Sequence, residues 1–221
     1  MSQPNSSIPT ATTKREAGTR RRMTPGQRRA NLIEVALRVF AEKGYRDTSM
    51  GDIALEAGVN RSILYDRFPT KRVLFLNVLQ EQHIAVLMAM GVAVSARTGM
   101  EDRLRAAVDG YLEFAERDPA ARRLLFDFSA EEDPEIKVAR RGINESRTRV
   151  LTLLLGGELR DLGLDPASPD AALHVEILLS GLDGLAQWRD HNPHVPRAEL
   201  VDTAMRVFWT GLGGEVRPEA V

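Results

Sequence analysis

Cysteine is absent from this chain of 221 residues. Disulfide frameworks, thiolate zinc sites and cysteine nucleophiles are excluded with it. Histidine occurs four times, at 83, 174, 191 and 194. No two of these stand four apart on one helix, the spacing of paired zinc ligands, so no metal site is expected. Also missing are a glycine-rich phosphate loop, a nucleophile–base spacing and a convincing pair of carboxylates, which places an all-helical enzyme behind other readings, and no cofactor is expected. No apolar run approaches the ~20 residues of a membrane span, and the first thirty residues lack the apolar stretch of a signal peptide. A cytoplasmic protein without a membrane partner is the expectation. What is present, 43% hydrophobic and 28% charged residues, is the composition of a globular chain.

Charge is distributed unevenly. Residues 1–68 carry 12 Lys and Arg against 7 Asp and Glu, whereas residues 69–221 carry 18 against 24. A basic first third joined to an acidic remainder points to a polyanionic partner at one end. The basic excess starts early, with Lys14, Arg15, Arg20, Arg21, Arg22, Arg28 and Arg29 against the single acid Glu16. Residues 1–23 read as a flexible basic arm; it serves either as a solubilising tail or as a DNA contact through Arg20, Arg21 and Arg22.

From Thr24 the apolar spacing is helical. Thr24-Pro25 sets a capping hydroxyl before a proline at the first helical position. Leu32, Val35, Ala36, Val39 and Phe40 then line one face up to Gly44. Ser49 and Asp52 form a capping-box start to a helix over 50–57, and Asn60 opens a third over 61–68 that Pro69 breaks. A long helix follows Thr70, carrying Leu76, Leu79, His83, Leu87 and Met90. Further helices cover about 101–117, a short stretch after Asp118-Pro119, the run after Asp133-Pro134, 168–189 and 196–211. No segment alternates as a half-buried strand does. The expected fold is all-α with about nine helices.

Residues 50–68 hold the informative geometry. Two short helices meet across Gly58-Val59-Asn60, which is the layout of a helix-turn-helix. Ala54 and Ala57 permit close crossing, Val59 plugs the turn, and Leu64 and Phe68 turn inward. Arg61, Ser62, Tyr65 and Ile63 are left to face outward.

The stretch Thr48-Ser49-Met50-Gly51-Asp52-Ile53-Ala54, followed by Ala57-Gly58-Val59-Asn60, Leu64-Tyr65, Phe68 and Lys71, resembles the tetracycline-repressor (TetR) family of bacterial transcriptional regulators. The match spans roughly residues 28–76. Residues 77–221 agree only in length, helical content and lack of cysteine. The resemblance implies a helix-turn-helix DNA-binding domain over 24–70 and a helical ligand-binding and dimerisation domain over 71–221. It implies a homodimer on an inverted-repeat operator in double-stranded DNA, acting as a repressor released by a small, largely apolar effector. An activator of the same fold is the alternative. Carried over by position, it implies base contacts from Arg61, Ser62, Ile63 and Tyr65, with Asn60 just ahead of them. It implies phosphate contacts from the backbone at Met50 and from Tyr65, Arg67 and Lys71. Gly51 departs from the polar or basic residue usual there, and Asp66 should face away from phosphate.

In the remainder, polar residues on apolar stripes are candidates for a pocket. His83 and Arg147 qualify, with Tyr111, Phe114 and Phe128 as aromatic surface; the competing reading is a satisfied core histidine and an arginine paired with an acid. The last two helices read as a partner surface, through Leu178, Gly181, Gly184, Leu185 and Trp188 on one and Ala204 and Phe208 on the other. Intramolecular packing is the other reading of the same residues.

Overall fold

A computed structural model describes residues 24–126 and 133–211. Among the candidate site residues, Arg20, Arg21, Arg22 and Phe128 lie outside the described residues. Ten helices and no strand occur among those described: α1 (Pro25–Asp47), α2 (Met50–Glu56), α3 (Arg61–Arg67), α4 (Lys71–Ser95), α5 (Met100–Arg117), α6 (Pro119–Phe126), α7 (Pro134–Leu154), α8 (Gly156–Asp161), α9 (Pro169–His191) and α10 (Arg197–Gly211). The helix beyond the nine expected is α8. The periodicity of α7 carries on past Leu154, but the backbone leaves the helix at Leu155 and a new short turn starts at Gly156.

Local chemistry fixes the ends of the first helices. Thr24 and Gln27 cap α1 reciprocally, side chain to backbone in both directions, at 3.2 and 2.9 Å. Gly44 interrupts α1 with φ +77°, a conformation only glycine adopts cheaply, and turns the chain towards α2. Ser49 and Asp52 repeat the reciprocal cap on α2. Between α2 and α3, Gly58 takes φ +64°. The N–H groups of Gly58 and Val59 donate to the Leu55 and Ala54 carbonyls at 3.1 and 3.0 Å, closing α2 with paired C-terminal bonds.

One contiguous core runs from Leu32 on α1 to Met205 on α10. Its centre is α4, which packs against α1, α5, α6 and α7. By length and composition alone this helix would also suffice to cross a membrane, unlike the sequence expectation that no run does so. Its apolar character is instead explained by its position among four neighbours. The DNA-side helices are bonded to the rest: α1 also packs on α6, and Arg29 on α1 reaches Glu81 and Asn77 on α4.

Candidate nucleic-acid interface and effector region

In α3 the inward pair is Leu64, fully buried, and Phe68, which ends the helix. Arg61, Ser62, Tyr65, Asp66 and Arg67 are exposed and Ile63 is half-buried. Asn60 occupies the N-cap position, yet its side chain makes no capping hydrogen bond, so its amide faces outward uncommitted. Met50, at the start of α2, is buried.

Gly51 acquires a physical role. The Arg61 guanidinium lies against it, and a Cβ at residue 51 would stand 2.7 Å from the Arg61 Cζ. Bareness of the supporting helix at this point gives the first side chain of α3 a seat across α2. At the start of α2, the Asp52 carboxyl is held at about 2 by bonds from the Ser49 hydroxyl and N–H, with Lys43 nearby at 3.4 Å.

Lys71 differs from the phosphate contact implied by resemblance. Its Nζ donates to the carbonyls of Tyr45, Arg46 and Thr48 at 2.7, 3.1 and 2.8 Å, and sits 4.5 Å from the Tyr45 ring centre. An ammonium has three protons, and all three are engaged in joining the end of α1 to the start of α4.

Further from α3, four helices meet at one buried polar node. Arg147 on α7 grips Asp183 on α9 with two bonds of 2.8 and 2.6 Å, and the Tyr111 hydroxyl on α5 donates to the same carboxylate at 2.5 Å. The Arg147 guanidinium lies 4.2 Å from the Phe126 ring centre. His83 on α4 is buried beside them with no partner at Nδ1. Burial, reinforced by the Arg147 charge, lowers its pKa below 6.5, so it is neutral. Burial also raises the Tyr111 hydroxyl well above its usual value, and the Asp183 charge adds to this. Desolvation opposes the charge on Arg147, but its bonds to the Asp183 carboxylate and that group's charge outweigh it and raise its pKa. The structure brings His83, Tyr111 and Arg147 together, and Phe114 is buried in the same core. Arg147 answers to the ion-pair reading. Asp183 went unnoticed in the sequence, although one acid on the apolar run Leu178, Leu179, Leu182, Ala186 was a signal for it.

The partner surface divides differently from the expectation. Leu178 and Ala204 are buried in the chain's own core, and Leu185 and Phe208 pack on it. Gly181 is small because Phe208 fills the space beside it, a Cβ there falling 2.6 Å from the Phe208 Cζ. These five residues join α9 to α10 and the core. The helix is apolar on two sides, and the expected partner residues fall on both of them. Outward lie Gly184, with open space above it, and Trp188, 47% exposed. Ile177 and Val207 share that exposure.

Residues 32–78 match the family model described as bacterial regulatory proteins, tetR family. The chain is 29% identical over 202 residues to the transcriptional activator FasR of Mycolicibacterium smegmatis, covering 90% of each. A TetR-like regulator from Rhodococcus sp. RHA1 superimposes with a TM-score of 0.70 at 20% identity, over 88% of this chain and 100% of that one. The regulator FadR of Bacillus subtilis, solved with stearoyl-CoA, gives 0.71 at 16% identity, over 82% and 98%. Helix-turn-helix geometry, matched motif and matched fold lead to one conclusion: the chain is a DNA-binding transcriptional regulator whose residues 32–78 match the tetR family of bacterial regulatory proteins.

Proposed function

We propose that the chain acts as a homodimeric repressor that reads an inverted-repeat operator with α3 and releases it when an effector binds residues 71–221. The observation that carries this reading is the two-sided character of α3. Leu64 and Phe68 anchor it while Arg61, Ser62 and Tyr65 stand exposed on its outward face. Arg61 supplies the bidentate base contact, Arg67 a phosphate contact, and Tyr65 and Asn60 the shorter polar contacts. Lys71 acts on DNA only through the fold it closes.

One recognition helix per subunit sets two half-sites about 34–36 Å apart. Ile177, Gly184 and Trp188 on α9 and Val207 on α10 form the surface on which two copies meet. A largely apolar effector is supported by the FadR structure with stearoyl-CoA. The chain works in the cytoplasm, as a switch and not as a catalyst. A second reading, activation, is favoured by the name of the FasR relative. Selection of duplexes from fragmented genomic DNA, followed by a reporter assay with and without the regulator, tests both. Repression and footprinted half-sites support the first reading, stimulation the second, and no selected duplex overturns both.

A further inference from the structure

The later turns of α4 keep an apolar face open to solvent. Ile84, Met88 and Val92 stand at i, i+4 and i+8 with 46, 63 and 69% of their surface exposed. Gly91, beside them, has open space above it. The face continues into a groove of about 600 Å³ between α4, α5 and α10, floored by Val92, Ala93 and Ala106. Its rim is net acidic, with Asp102, Asp109, Glu113 and Asp202 against Arg97 and Arg105. Arg105 pairs with Asp202 at 2.5 Å, and Asp109 with Arg197 at 2.9 Å. Asp102 and Glu113 are exposed and make no ion pair among the described residues.

The start of α1 leads onto this face, because α1 runs counter to α4. Lys71 meets the end of α1, Phe40 meets Phe75 at 4.9 Å between ring centres, and Arg29 meets Asn77 and Glu81. From Glu81 the helix rises about 16 Å to Val92. Thr24 lies about 7 Å along α1 ahead of Arg29 at ~1.5 Å per residue. Each residue ahead of Thr24 adds up to ~3.5 Å more. Arg20, Arg21 and Arg22 are therefore within reach of Val92 and the acidic rim. Residues 1–23 carry Lys14, Arg15 and these three arginines against the single acid Glu16.

We infer that, in the chain free of DNA, its own basic arm docks on this face, Met23 against Ile84 and Met88 and the three arginines towards Asp102 and Glu113. The contact is autoinhibitory, since arginines held on the acidic rim are withheld from the phosphate backbone. That consequence rests on the reading of the chain as an operator-binding regulator; the docking itself does not. A second copy is a poorer occupant, since an isologous contact sets an acidic rim against itself.

Because the chain has no cysteine, paired substitutions report the contact by disulfide trapping in the full chain. Thr19→Cys with Val92→Cys should close within one chain several-fold faster than Thr19→Cys with Leu173→Cys, whose partner is exposed on α9. Asp102→Asn/Glu113→Gln, which leaves the arm untouched, should erase that advantage, as should ~1 M salt, where screening acts within ~3 Å. Equal rates for the two pairs, or an advantage that survives the rim substitutions, would overturn the docking. So would a Val92→Cys chain that links mainly to a second copy of itself, which would give the face to that copy. For the autoinhibition, Asp102→Asn/Glu113→Gln should tighten selected duplexes at low salt by ~2–30-fold, the worth of two exposed ion pairs. The same substitutions should change nothing once Arg20, Arg21 and Arg22 are all replaced by Gln. Equal tightening in both backgrounds would mean that the rim acts by general charge and would overturn the autoinhibition. Failure to bind any duplex would instead sink the operator reading, with the trapping result left to decide the docking.

Discussion

Asp183→Ala takes away the acceptor on which α5, α7 and α9 converge. Arg147, with 2% of its side chain exposed, would keep its charge and lose both bonds. Removing one partner of a buried pair costs about 3–5 kcal/mol, because the other charge is left uncompensated. The Tyr111 hydroxyl loses its acceptor too, but the losses share one carboxylate and do not add in full. Asp183 is itself 25% exposed on its side chain, so water reaches the edge of the site and the lower end, about 3 kcal/mol, applies. At ~2–4 °C per kcal/mol for a chain of this size, the melting temperature should fall by ~6–12 °C. Thermal melts by circular dichroism measure it, and the double variant Asp183→Ala/Arg147→Met should recover most of the loss by removing the stranded charge. An Asp183→Ala chain melting within ~2 °C of the unaltered protein would refute the argument.

Lys71→Met should cost about 1.5–3 kcal/mol, the worth of hydrogen bonds to a charged group, while the slope of log affinity against log salt stays unchanged; a slope shallower by about one unit would mean that Lys71 meets a phosphate. Gly51→Ala should stabilise α2 by about 0.5–1 kcal/mol yet displace the Arg61 guanidinium, changing the ranking of operator variants in a competition assay; an unchanged ranking would show that the seat does not govern Arg61. His83 is held neutral with its pKa below 6.5, so the unfolded chain takes up a proton more readily than the folded one. Stability should be full above about pH 6.5 and fall as pH drops below it, and His83→Leu should flatten melting temperature against pH below about 6.5. The same slope in both proteins would place the titrating group elsewhere.

The helix-turn-helix was legible because local rules determine it. Ser49, Asp52, Gly58 and the Leu64–Phe68 pair act within a few residues of themselves, and the structure keeps each in its expected place. The missed features depend on distant partners. Lys71 reads as a surface cation until the end of α1, over twenty residues away, folds its carbonyls around it. Gly51 reads as a lost contact until Arg61 is seen to rest on it. In α9 both faces are apolar, and periodicity cannot say which meets Phe208 and which meets solvent.

The most direct measurement of the central claim is the affinity of the full chain and its Arg61→Ala variant for duplexes selected from genomic DNA. The account predicts an inverted repeat with half-sites about 34–36 Å apart. It predicts a loss of about 1–3 kcal/mol for Arg61→Ala, with preference relaxed at one position in each half-site. Operator affinity and base preference left intact by Arg61→Ala would contradict the assignment of α3 as the recognition helix.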